Sequence, residues 1–244
     1  MTENQVPVYP ESNHQVGNQT YTVPWSIADT WLGVALLILF SIGLLVAVFM
    51  GYGRQYLDNV GVIFLEMIYI IPVVLIFAVR RIHWKHLGFG AFKLNVIGIG
   101  CGLLIGGYAI ILVHNAILYY FGFSSQGEQI FDAFSQLDAP VWFFITGAVV
   151  APLVEEIFFR GFLLQGFRQK YGWMTGILLS SFIFAAAHLD PVAFIPTFIL
   201  GCVLAYMYHR SNSLWPGILF HTSINSLSLC AVYVVSKYPG LIPS

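Results

Sequence analysis

Charge is scarce in this sequence. Of 244 residues, 10 are Lys or Arg and 11 are Asp or Glu, together 9% of the chain. A soluble domain carries about 25% charged residues, so a water-facing surface of this size could not be covered. Cysteine is rarer still. Cys101, Cys202 and Cys230 each fall within an apolar run, without redox or metal-ligand spacing, and read as buried packing residues. The net charge of −1 offers no basis for binding nucleic acid. The first 24 residues contain no Lys or Arg and no early apolar stretch, so they lack the basic start of a secretory signal. They are expected to be a mobile polar tail (1–24) ahead of a single membrane domain (25–244).

What the sequence has in excess is hydrocarbon. Hydrophobic residues make up 58% of the chain, with a mean hydropathy of +0.80, and they cluster in long runs. A helix crosses the hydrocarbon core with about 20 apolar residues. Candidate spans are Trp31 to Met50, Val60 to Val79, Leu94 to Phe121, Val141 to Phe162, Trp173 to Leu189, Val192 to Tyr208 and Leu214 to Val235. The expected fold class is therefore all-α: a polytopic integral membrane helical bundle of about seven transmembrane helices, within a range of six to eight. The fifth and sixth spans are short and joined by Asp190-Pro191, which reads as a turn.

Basic residues orient the bundle. Arg80, Arg81, Lys85 and Lys93 crowd the second connection, and alternation puts Arg168, Lys170 and Arg210 on the same side. That side is expected to be cytoplasmic, with the amino terminus, in a multi-pass cell-membrane protein. Arg54 and Lys237 fall opposite, and the outer connection from Gly122 to Pro140 carries Glu128, Asp132 and Asp138. Gly98, Gly102 and Gly106 recur every four residues and predict close packing of one helix on another within the monomer. Nothing in the sequence specifies an oligomeric state.

Ionisable groups inside spans cost about 2.5–3.5 kcal/mol each, so they must face protein or a cavity. Glu156 and Arg160, four apart, are expected to pair on one helical face. Glu155 lies about 100° round that helix without such a partner, as a general base can. His188 ends a run of small residues, Phe184-Ala-Ala-Ala-His188, and His221 and Asn225 share one face of the last span. A base, two imidazoles and an amide on three spans are what peptide hydrolysis needs, to activate water and to stabilise an oxyanion. Glu66 sits in the second span and is expected to be structural, meeting His114 or a hydroxyl. His83 and His86 lie in the basic loop and are expected to be solvated.

The pattern Glu155-Glu156-Ile157-Phe158-Phe159-Arg160, then Phe184-xxx-His188, then His221-xxx-Asn225, resembles the type II CAAX prenyl protease and bacteriocin-processing (CPBP, or Abi) family. Pro196-Thr197-Phe198 and Ser213-Leu214-Trp215-Pro216 are similar to its bacterial members, and the resemblance covers about residues 140–235. It implies an intramembrane endopeptidase, with Glu155 activating water and Glu156 and Arg160 holding the helix. His188 would position the water, and His221 and Asn225 would stabilise the oxyanion. His188, His221 and Glu155 are also the donor set of a catalytic zinc, but there is no HExxH motif, and the reading leans to a metal-free glutamate mechanism. The expected partners are the lipid bilayer and a hydrophobic or lipidated peptide substrate. Two alternatives stay open: a bacteriocin self-immunity protein acting by binding, and a proton-coupled transporter, against which the lack of an inverted repeat argues.

The depth of these residues poses a geometric problem. A simple count of spans puts Glu155 and His221 near the cytoplasmic side and His188 toward the other, a mismatch of more than about 10 Å. Convergence to within about 4–8 Å requires that the two short spans do not fully cross.

Overall fold

The computed structural model of the chain describes residues 22–50, 66–123 and 140–238. Most of the polar tail, Arg54, the first part of the second span and the acidic connection at 124–139 lie outside the described residues. Helix α1 is Ile27–Phe49. A 3-10 turn, Met67–Tyr69, leads into α2, Ile70–Arg80, and α3 is Asn95–Tyr120. One continuous bent rod follows, in which α4 (Pro140–Ile145), α5 (Ala151–Glu156) and α6 (Gln165–Tyr171) are separated by π-helical turns at Thr146–Val150 and Ile157–Leu164. Then come α7, Trp173–Ala187, α8, Phe194–Ser211, and α9, Trp215–Lys237. Among the described residues there is no strand.

Each expected hydrophobic span contains helix. Four stretches are long and apolar enough to cross a membrane: Ile27–Ala47, Asn95–Tyr120, Val141–Tyr171 and Trp215–Lys237. Met67–Arg80 and Trp173–Ala187 are shorter. The outer faces are apolar, with Leu45 64%, Ile105 75% and Val79 79% exposed, as fits lipid rather than water as the solvent. The chain is a multi-pass helical membrane protein.

The core is aromatic and sits on the bent rod. Phe158, Phe159, Phe162 and Phe167 are fully buried, with Trp25, Phe77 and Phe184 packed among them. Trp25 lies 5.3 Å from Phe77 and 5.5 Å from Phe162, centroid to centroid. A helix hydrophobic all round belongs at the centre of a bundle, and Ile157–Leu164 occupies that place. Helices α1, α2, α7 and α8 pack on that segment, and α9 packs on the preceding part of the rod, 146–156.

Two packing expectations fail. Cys101 and Cys230 are exposed and Cys202 is half-buried, because an apolar helix face turned to lipid needs no burial in protein. Gly98, Gly102 and Gly106 have open space where a Cβ would point. The glycines of α3 that admit α8 are Gly100, against Met207, and Gly107, against Ile199. The every-fourth-residue stripe identified small residues but not the face that packs, because a helix carries several such stripes and tertiary partners select among them.

The basic residues gather at one end. The Leu214 amide donates to the Gly88 carbonyl at 2.7 Å, the Tyr208 hydroxyl to the Leu87 carbonyl at 3.1 Å, and the Gln165 amide to the His86 carbonyl at 3.0 Å. Arg168 donates to Asn212 at 2.9 Å, and Gln169 to the Trp25 carbonyl at 3.2 Å. These bonds tie the 81–94 connection to the ends of α6 and α8 and the start of α1. His83 is engaged locally, its Nδ1 accepting from the Lys85 amide at 3.1 Å.

Candidate active site

The acidic pair sits on α5, between the two π-helical turns. Such turns recur at functional sites because they re-aim side chains that a regular helix would stagger. Pro152 explains part of the geometry. In the π register the Ala151 amide bonds Thr146, five residues back, so the next amide would bond Gly147. Proline has no N–H to give. The Gly147 carbonyl is instead met by the Asn225 side chain, whose Nδ2 donates at 2.9 Å. Asn225→Ala should leave that carbonyl unsatisfied and cost about 1–3 kcal/mol of stability, measured as a fall in Tm in detergent.

Glu155, Glu156, Arg160 and His221 form one buried cluster. Arg160 Nη1 lies 2.9 Å from Glu156 Oε1, the expected pair four residues apart, and Arg160 Nη2 donates to the Gly201 carbonyl at 3.3 Å. His221 reaches across from α9, with Nδ1 3.3 Å from Glu156 Oε1 and Nε2 3.8 Å from Glu155 Oε2. An ionised carboxylate can only accept, so the proton of that first contact belongs to Nδ1, and Nε2 is directed at Glu155. Glu155, which lacks a partner on its own helix, finds one on another.

His188 joins through Phe184. The His188 Nδ1 donates to the Phe184 carbonyl at 2.8 Å, which leaves Nε2 as the free position of the neutral ring. The Phe184 ring lies edge-on to both imidazoles, 4.8 Å from His188 and 5.8 Å from His221, and the Arg160 guanidinium sits 4.3 Å from its centroid. His188 itself is exposed, at the rim of the cluster. Helix α7 has 15 residues, about 22 Å at 1.5 Å each, short of a full crossing, and beyond it Asp190 makes the expected turn by accepting from the Val192 amide at 2.9 Å.

Three residues without an assigned role matter here. Phe184 carries the wall just described. Gly201 lets α8 approach α7, where a Cβ would sit 3.0 Å from Ser181 and 3.1 Å from Phe184. Gly217 makes room for Glu156, whose Oε2 would lie 2.5 Å from an added Cβ. Gly217→Ala should push Glu156 off Arg160 and cost about 1–3 kcal/mol, read as reduced thermal stability. His114 faces Asn115, at 3.3 Å, rather than Glu66, which lies near Glu155 and Tyr69. The places of Gly201 and Gly217 appear only in the assembled site, since a single glycine in an apolar run is unremarkable in sequence.

As placed, His188, His221 and Glu155 do not make a three-donor metal site. Among the described residues no three His, Cys, Asp or Glu side chains lie close enough to share an ion.

Fold and cluster together define a helical membrane protein with a carboxylate–imidazole–guanidinium centre sealed in its core. Residues 137–227, which carry that centre, match the family described as Type II CAAX prenyl endopeptidase Rce1-like. The chain is similar over 135 residues, at 27% identity, to "Putative membrane peptidase YdiL" of Bacillus subtilis (strain 168), covering 53% of this chain and 55% of that protein. It is 33% identical over 90 residues to an "Uncharacterized 24.3 kDa protein" of Escherichia coli, covering 35% and 42%. It is 26% identical over 113 residues to UPF0177 protein YxdF of Lactococcus lactis subsp. lactis (strain IL1403), covering 46% and 62%. Over residues 137–227 the chain is similar to the type II CAAX prenyl protease and bacteriocin-processing family. It spans about half the length of the curated relatives it matches. No solved structure matches it.

Proposed function

We propose that the chain is an intramembrane endopeptidase that hydrolyses a peptide bond in a hydrophobic or membrane-associated peptide. The observation that carries this reading is the approach of Glu155 to His221, at 3.8 Å, from helices far apart in sequence and inside an apolar core. A buried acid facing an imidazole is costly to assemble, and water activation is a use that repays it.

In the proposed reaction Glu155 takes a proton from water as the water oxygen bonds to the scissile carbonyl carbon. His188 Nε2 accepts the second water proton in a hydrogen bond and so orients the lone pair. His221 enters and leaves the proposed step with a hydrogen on each ring nitrogen, Nδ1–H on Glu156, which balances its charge, and Nε2–H on the tetrahedral oxyanion, which the remaining Asn225 amide hydrogen also stabilises. As the C–N bond breaks, Glu155 returns its proton to the leaving amine. Glu156 and Arg160 hold the helix in register. The bonds that form and break need no group beyond the substrate, water and these side chains.

The basic end is assigned to the cytoplasm, supported by its seven Lys and Arg residues. The test is cleavage of a hydrophobic peptide by the purified protein in liposomes. His188→Asn and His221→Asn should each lower kcat by at least about 10²-fold while the proteins insert and unfold like the parent. Full activity in both would remove these histidines from the site, and a parent that leaves the peptide intact would end the peptidase reading.

A further inference from the structure

On the far side of the Arg160 wall lies an apolar groove of about 330 Å³ between α3, α7 and α8. Its walls include Leu103 of α3, Ile177 and Leu178 of α7, and Ile199 and Tyr206 of α8, with Trp173 at one end. It plays no part in the cluster, and no helix among the described residues fills it.

The end marked by Trp173 opens onto the basic end of the bundle. Trp173 stacks on His209, with centroids 4.9 Å apart and planes within 10°, and Tyr206 lies 6.1 Å from the same ring. His209 is close enough to Arg168 and Arg210 to feel both charges, and Arg168 is fixed on Asn212 at 2.9 Å. Lys170, three residues before Trp173, and Arg210 are exposed. Among the described residues the acid at this end is Asp29, and Arg80 already holds it at 2.7 Å. Among the described residues, the groove therefore joins a hydrocarbon slot to a positive rim with no free carboxylate to neutralise it.

We propose that this groove binds one anionic phospholipid, with an acyl chain between α3, α7 and α8 and the phosphate against Lys170 and Arg210. Any lipid can wet an apolar face, but the rim selects for negative headgroups. Each Lys or Arg near a membrane surface is worth enough to change affinity about fivefold. The chain fills the gap between α7 and α8 beside Cys202, next to Gly201, and so supports the helix pair that carries the Arg160 carbonyl partner. The proposal does not depend on the peptidase reading.

The test uses the purified full chain, stripped of lipid in detergent and titrated with phosphatidylglycerol or phosphatidylcholine, with binding counted by native mass spectrometry and thermal unfolding. Phosphatidylglycerol should saturate at one tightly held lipid and raise Tm, and phosphatidylcholine should bind more weakly by about tenfold or more. Lys170→Gln with Arg210→Gln should weaken phosphatidylglycerol roughly 25-fold, at about fivefold per charge, and leave phosphatidylcholine unchanged. Leu178→Trp and Leu103→Trp, both at exposed positions that tolerate bulk, should block the groove from either wall and abolish the tight lipid. Arg81→Gln, just past the end of α2 and outside the groove lining, should change affinity less than twofold. Equal binding of the two lipids, indifference to both Trp variants, or an equal loss in Arg81→Gln would overturn the proposal.

Discussion

Glu155→Gln should eliminate peptide hydrolysis, with kcat falling by about 10²–10⁴-fold, the usual contribution of a positioned general base. The side chain keeps its shape and its place, 5% exposed at the heart of the bundle. Its contact with His221 is 3.8 Å, longer than a hydrogen bond, so the fold does not hang on it, and Tm should hold. Only the capacity to take a proton is lost. Residues that act as a unit are non-additive, so the triple variant Glu155→Gln, His188→Asn, His221→Asn should be scarcely slower than Glu155→Gln alone. The measurement is single-turnover cleavage of a hydrophobic peptide in liposomes. A well-folded Glu155→Gln protein retaining a tenth or more of parental activity would show that the base lies elsewhere. A cell-protection assay on the same triple variant separates cleavage from binding, because an immunity factor acting by binding would still protect.

Glu156→Gln should fail differently, by losing the fold. Arg160 is 1% exposed, and its charge is balanced by Glu156 at 2.9 Å. The Gly201 carbonyl and the Phe184 ring contribute dipole and quadrupole but no counter-charge. Removing one partner of a buried pair costs about 3–5 kcal/mol, a large share of the 5–15 kcal/mol that typically holds a domain. Folded yield and Tm in detergent should both drop sharply. Replacing the whole pair, as Glu156→Leu with Arg160→Met, should recover much of the loss, because apolar groups of similar volume leave no stranded charge. A Glu156→Gln protein as stable as the parent would refute the structural role given to this carboxylate. Were the double variant to regain activity as well as yield, the pair would be scaffolding with no part in orienting His221.

Much of the architecture could be read from the chain because lipid is an unforgiving solvent. Backbone groups in hydrocarbon must bond within their own segment, so long apolar runs such as Asn95–Tyr120 can only be helices. Few charges means few places where charge can be tolerated, and that is why Glu156 and Arg160 paired as their spacing requires. Clustering of the Lys and Arg residues at one end follows from the same economy.

Other features required the folded molecule. The acidic helix α5 is bounded by π-helical turns, and at the first of them Pro152 withholds an amide while Asn225 of a distant helix takes up the Gly147 carbonyl. That balance is set between helices, not along one. Likewise the Gly98, Gly102 and Gly106 stripe faces open space while Gly100 and Gly107 pack, since helical periodicity names candidate faces and neighbours choose one. Hydropathy and spacing, properties of single segments, thus determined that this protein is a helical membrane bundle with costly polar groups to bury. Which of those groups meet across helices was decided by tertiary structure alone: Glu155 with His221, Asn225 with Gly147, and His221 with the edge of Phe184. Contacts between residues so far apart in sequence depend on how far each helix crosses and how it is turned, and a one-dimensional pattern carries neither quantity.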